Sequence, residues 1–223
     1  MINKQAWEKL HEELAHKGVT LVAVSKKKPA SDIQILYDLG QRHFGENYVQ
    51  ELVEKQAVLP NDIYWHYIGH LQSNKVKEIA PFVHLIHAVD SFKLLAEINK
   101  QALKNNRTID VLLQMHIADE ETKFGMDEAE ITGLLKDYEA QKETLANVRI
   151  CGLMGMSTFT DDQAKVRAEF VRMHDFFQLL AGKYFSGQSH FAICSMGMSA
   201  DYELAIEEGS TMVRIGRMLF GAR

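Results

Sequence analysis

Eight short apolar runs recur along the chain, each followed by a longer amphipathic or helical stretch, and this rhythm limits the available folds more than any other feature. The runs lie at 20–25, 42–45, 63–69, 85–89, 109–117, 148–156, 190–195 and 212–216. Leu21, Val22, Ala23 and Val24 show no alternation of apolar with polar residues, and neither does the stretch from Val111 to Met115. A strand written that way is covered on both faces, which in a chain alternating strand and helix means a parallel strand. The intervening stretches carry helical faces. Leu94, Leu95, Ile98 and Ala102 line up behind Ser91 as N-cap, and Ile131, Leu134, Leu135 and Tyr138 keep the same spacing. Val166, Phe170, Met173, Phe177 and Leu180 do so after Asp161, while Ser31 and Gly40 read as the start and stop of another helix. A helix bearing Trp7, Leu10 and Leu14 precedes the first run. The expectation is one α/β domain over 1–223: a (β/α)8 barrel with an extra N-terminal helix, within 1–18, packed on it. An open doubly wound sheet is the alternative if a short run such as 42–45 is not a strand.

Composition narrows the class of function. With 25 Lys and Arg against 30 Asp and Glu, the net charge of −5 argues against a nucleic-acid protein, which needs a basic face. No apolar run approaches the roughly 18 residues of a membrane span, and the N-terminus lacks a signal layout. Cys151 and Cys194 are the only cysteines, so a reducing cytoplasm is expected. Nucleotide-binding glycine loops, a Walker loop and a serine elbow are all absent. The expectation is a cytoplasmic protein acting on something small. The ten histidines give no metal motif: His66 and His70 would stand roughly 13 Å apart on a strand, and His84 and His87 would face opposite ways.

Function in such a barrel lies at the carboxyl ends of its strands. Lys26 follows the first run, and period-two alternation puts Val22, Val24 and Lys26 on one face. Pointing inward, Lys26 would sit partly desolvated near cations such as Lys28 or Arg214, which frees an amine as a nucleophile. The competing reading is a solvated turn of three lysines. Ser195, Gly197 and Gly216, with a short helix opening at Arg217, suit a phosphate at the ends of the last two strands. They equally suit ordinary turns. Arg214 shares a face with Met212 and Gly216 and needs an acceptor: either Glu46 or Asp90, or the ring nitrogen of a bound heterocycle. A lysine amine, a phosphate cradle and an inward arginine around one mouth point to pyridoxal 5′-phosphate.

The same residues resemble the pyridoxal phosphate homeostasis proteins, stand-alone relatives of the barrel domain of alanine racemase. The likeness runs in order over most of the chain: Ala23-Val-Ser-Lys26, Phe44-Gly-Glu-Asn47-Tyr48-Val-Gln-Glu51, Trp65-His-Tyr-Ile-Gly69, Gly152-Leu-Met154, Met196-Gly-Met-Ser199 and Gly209-Ser-Thr-Met-Val-Arg-Ile-Gly216. The resemblance implies that Lys26 carries the cofactor as a Schiff base and that Arg214 faces the pyridine nitrogen. It further implies that Ser195, Gly216 and Arg217 hold the phosphate and that Asn47 lies beside the ring, with Lys123, Lys28 and Met198 as neighbours. Arg217 departs from the family's frequent small hydroxyl residue, and Lys27 from its frequent threonine. The expected role is storage, buffering or delivery of pyridoxal phosphate by a monomer, with transient contact to apoenzymes and no strong catalysis. With the sequence running to Arg223, no second domain is expected to supply a base. A weak amino-acid racemase using Tyr48 or Tyr67, and a cofactor-free sugar-phosphate isomerase, are the alternatives.

Overall fold

The structure is a computed structural model that describes residues 2–118 and 124–221. Its strands are β1 (Thr20–Val24), β2 (His43–Glu46), β3 (Tyr64–Tyr67), β4 (Leu85–Val89), β5 (Ile109–Met115), β6 (Val148–Gly155), β7 (Ile193–Met198) and β8 (Met212–Ile215). All pair in parallel, in chain order, and β8 closes on β1 through Val22 opposite Arg214 and Ala23 opposite Ile215. The closed barrel expected from the rhythm is therefore formed, and the short 42–45 run does supply a strand. The helices are α1 (Lys4–His16), α2 (Ala30–Asp38), α3 (Val49–Gln56), α4 (Val76–Ile79), α5 (Phe92–Lys104), α6 (Glu128–Ala140), α7 (Gln163–Tyr184), α8 (Tyr202–Glu207) and α9 (Arg217–Phe220). No described helix is long and apolar enough to cross a membrane.

Alternation along the strands divides the apolar residues into two layers. Val22, Leu85, Ala88, Leu112, Cys151, Met154 and Met212 fill the barrel interior. Leu21, Ala23, Phe44, Trp65 and Ile215 face outward into the larger core beneath the helices. That core includes Trp7, Leu10 and Leu14 of α1, whose indole donates to Gln41 Oε1 at 2.9 Å. Both cysteines are free and buried, and burial pushes each thiol up to about 12, so neither is a ready nucleophile.

Three boundaries differ from the sequence expectation. Helix α2 begins two residues early, at Ala30, with Pro29 rather than Ser31 in the cap position. Asp162 rather than Asp161 caps α7, accepting from Ala164 and Lys165. Most consequentially, β7 runs three residues later than 190–195, ending at Met198. The reason is Phe191: it leaves the strand line to stack on Phe185 at 4.0 Å and Phe177 at 5.0 Å, and the chain turns there before pairing begins. Ser195 therefore lies mid-strand rather than at the strand's end.

Candidate functional site

The parallel closure gathers β7, β8, β1 and β2 side by side, so their carboxyl ends form one arc of the mouth. Lys26 follows β1 and is half-buried; Asn47 follows β2; Met198 ends β7; Gly216 and Arg217 follow β8. Lys123 lies outside the described residues. Gly216 packs on β1: a Cβ there would stand 3.2 Å from the Val24 carbonyl oxygen and 3.3 Å from Val24 Cβ. Arg217 is exposed and opens the short α9, while the Lys28 ammonium donates to the Phe220 carbonyl at its far end, 2.9 Å away. Asn47 is braced from behind, because a Cβ on Gly69 would fall 2.2 Å from its carbonyl oxygen and Tyr67 Oη donates to that oxygen. The Asn47 side-chain Oδ1 is buried and has no hydrogen-bond partner among the described residues.

Arg214 points into the barrel, as its face predicts, and is only 4% exposed. Its acceptors are neither Glu46 nor Asp90. Nη1 donates to the Ser195 carbonyl at 2.8 Å and to Ser195 Oγ at 2.7 Å, and Nη2 donates to the Gly155 carbonyl at 2.8 Å. Burial lowers its pKa to about 10, which leaves it a cation at neutral pH. Ser195, expected at a phosphate, has a fully buried hydroxyl set between Arg214 and His87. Gly197 has a different reason to be glycine. At φ +95°, its Cβ would meet Ala205 Cβ at 2.6 Å, so the missing side chain admits α8.

Two polar clusters escaped the sequence reading. The first is a row of imidazoles through the barrel: His43 Nδ1 lies 2.9 Å from His66 Nε2, His66 Nδ1 2.8 Å from His87 Nε2, and His87 Nδ1 3.4 Å from Ser195 Oγ. Burial pushes His43 down to about 4 and holds His66 and His87 well below the usual histidine range, so the row is neutral. The second cluster ties down the turn that carries Lys26. The Lys55 ammonium donates to Glu46 at 2.6 Å, to Glu51 at 2.7 Å and to the Ser25 carbonyl at 2.8 Å. Ser25 Oγ donates to Glu46 at 2.6 Å, and the Lys27 amide, in a left-handed φ of 60°, donates to Glu51 at 2.5 Å. Both neighbours of Lys26 are thus anchored to the Glu46–Lys55–Glu51 cluster, Ser25 to the buried Glu46 and Lys27 to the partly exposed Glu51. The i,i+4 pair Glu51 and Lys55 on α3 was the available signal for it.

Residues 4–223 match the family model described as the alanine racemase N-terminal domain. The pyridoxal phosphate homeostasis protein of Aquifex aeolicus is 40% identical over 204 residues, covering 91% of this chain and 86% of that protein. The chain belongs to the pyridoxal phosphate homeostasis protein family. The homeostasis protein of Escherichia coli strain K12 is 39% identical over 212 residues, 92% of this chain and 86% of that protein. Among solved structures, PipY of Synechococcus elongatus with PLP bound superposes with a TM-score of 0.85 at 36% identity, covering 97% of this chain and 99% of that one. Outside the homeostasis proteins, alanine racemase from Bartonella henselae shares the fold at a TM-score of 0.67 and 18% identity, over 99% of this chain and 60% of that one.

Proposed function

We propose that this chain binds pyridoxal 5′-phosphate on Lys26 and serves its homeostasis by storing, buffering or delivering the cofactor. The observation that carries the reading is the arc of the mouth itself. A half-buried lysine, a buried arginine satisfied by neutral acceptors and an orphaned Asn47 Oδ1 share one end of the barrel. Those residues suit the group chemically. Lys26 supplies the amine, Arg214 the donor toward the pyridine nitrogen, and Asn47 the polar atom beside the ring. Gly216 and Arg217 hold the phosphate, with Met198 along the edge and Lys123 as a further neighbour. Ser195 acts one step back, orienting Arg214 through its hydroxyl and its carbonyl. When bound, pyridoxal phosphate supplies an aldehyde that condenses reversibly with amines and a ring that accepts electrons.

The chain's own residues favour carriage over catalysis. Arg214 remains charged and keeps the ring nitrogen unprotonated, which limits electron withdrawal from a substrate carbon. Tyr67, one candidate base for a racemase, has its hydroxyl donating to the Asn47 and His70 carbonyls, and burial pushes it up to about 12. Delivery then means transient contact between a monomer and apoenzymes in the cytoplasm, a setting that suits two free buried cysteines. The test is spectroscopic. Purified protein mixed with pyridoxal phosphate and desalted is expected to keep a visible absorption band, which Lys26→Ala lacks. A wild-type protein left colourless by that treatment overturns the proposal.

A further inference from the structure

At the end of the barrel opposite the mouth, three histidines from separate parts of the chain converge. His43 begins β2, His66 lies on β3 and His84 immediately precedes β4; one ring nitrogen of each lies within 4.8 Å of the others. Their ring centroids are 5.1 to 5.9 Å apart. Tyr64 packs tilted against both His43 and His84, with ring centroids 4.8 and 4.6 Å away, and walls one side of the cluster. We infer that His43, His66 and His84 form a binding site for a borderline divalent metal ion of the zinc class, independent of the cofactor reading at the other end.

The chemistry of the donors sets the class. Three imidazoles suit zinc, cobalt, nickel or copper, whereas magnesium and calcium require oxygen ligands. Geometry fits as well. Nitrogens at about 2.0–2.1 Å from a tetrahedral zinc stand roughly 3.3 Å from each other. The 2.9 Å approach of His43 Nδ1 to His66 Nε2 is already close to that edge. His84, the exposed member, has the freedom to close the remaining gap, and its exposure leaves the fourth position toward solvent. Asp110, paired with Arg149 at 2.7 Å, lies on the strand next to His84, with Arg107 also nearby, so an incoming dication meets charges of both signs.

The fully buried His66 also has the outer support that metal-bound histidines use. A metal on its Nε2 leaves the ring proton on Nδ1, which donates to His87 Nε2 at 2.8 Å. His87 then carries its own proton on Nδ1, facing Ser195 Oγ. His66 and His87 then have both ring nitrogens matched, His66 by the metal and His87, and His87 by His66 and Ser195.

Cobalt(II) is the probe, added to untagged full-length protein already loaded with pyridoxal phosphate. One ion per chain should bind, with the intense visible bands of a tetrahedral cobalt site, and zinc should displace it. Affinity should fall more than about tenfold in His84→Ala and in His43→Ala. It should be unchanged in His16→Ala, an exposed histidine of α1, and in wild-type protein to which no pyridoxal phosphate has been added, which separates this site from the cofactor. Absence of the cobalt bands in the wild type overturns the inference. So does their retention at undiminished affinity in either cluster variant.

Discussion

Glu46 is a carboxyl placed under the outer wall of the barrel, fully buried, with one oxygen bonded to Lys55 and Ser25 and the other, Oε2, unmatched among the described residues. Burial raises its pKa to about 7 against the opposing pull of Lys55 and Ser25. The folded chain therefore keeps a proton that the unfolded chain releases near 4.5, and between those values folding binds more protons than unfolding. Stability from this group is present at low pH and declines as pH rises from about 4.5 to about 7. Denaturant titrations of wild type and Glu46→Gln should diverge across that window by on the order of 1–3 kcal/mol, the wild type losing more. Parallel profiles would mean that Glu46 is ionised throughout. The sequence reading offered Glu46 as a partner for Arg214, and strand parity explains why it is not. Gly45 faces inward, where a Cβ would lie 3.0 Å from Val22 Cγ1, so Glu46 faces outward toward α3 and Lys55.

At the scale of elements, local signals were legible where the chain makes its own cap. Ser91 accepts from the Leu94 amide as its position implied. Helix α6 opens with a reciprocal pair: Asp127 accepts from the Glu130 amide at 2.8 Å, and Glu130 accepts from the Asp127 amide at 2.9 Å. Removing one half with Asp127→Ala should cost about 1 kcal/mol, read as a lower urea midpoint at unchanged slope. A midpoint equal to wild type would show that solvent replaces the cap fully. The β7 boundary was not legible, because the apolar residue that seemed to begin the strand, Phe191, has a better partner in Phe185 of the α7 end. Aromatic stacking against the end of α7 outweighed local strand propensity. That shift moved Ser195 from the mouth to the interior and changed its surroundings.

Taken as a whole, the molecule ties its two ends to one another and to the sheet. The Asn3 amide donates to the Leu219 carbonyl at 2.9 Å, and the side chain of Gln41, which accepts from Trp7, donates to the Leu21 and His43 carbonyls. We expect α1 and the barrel to unfold as one unit. Tryptophan fluorescence, from Trp7 on α1 and Trp65 on β3, should then follow the same transition as far-ultraviolet circular dichroism. A separate early fluorescence change would mean that α1 melts alone. The open-sheet alternative was excluded only by the closure of β8 on β1, while periodicity in the sequence located the strands to within a few residues, marked them as parallel and set the inward face of β1 and β8. Those properties repeat every two or 3.6 residues and follow from which face must be buried. Only the tertiary structure decided which polar side chains meet. His43, His66 and His84 are separated by some twenty residues at each step, and spacing along one strand cannot bring them together. The stagger of neighbouring strands in a closed barrel does, because closure aligns residues across strands in an order that no single strand contains.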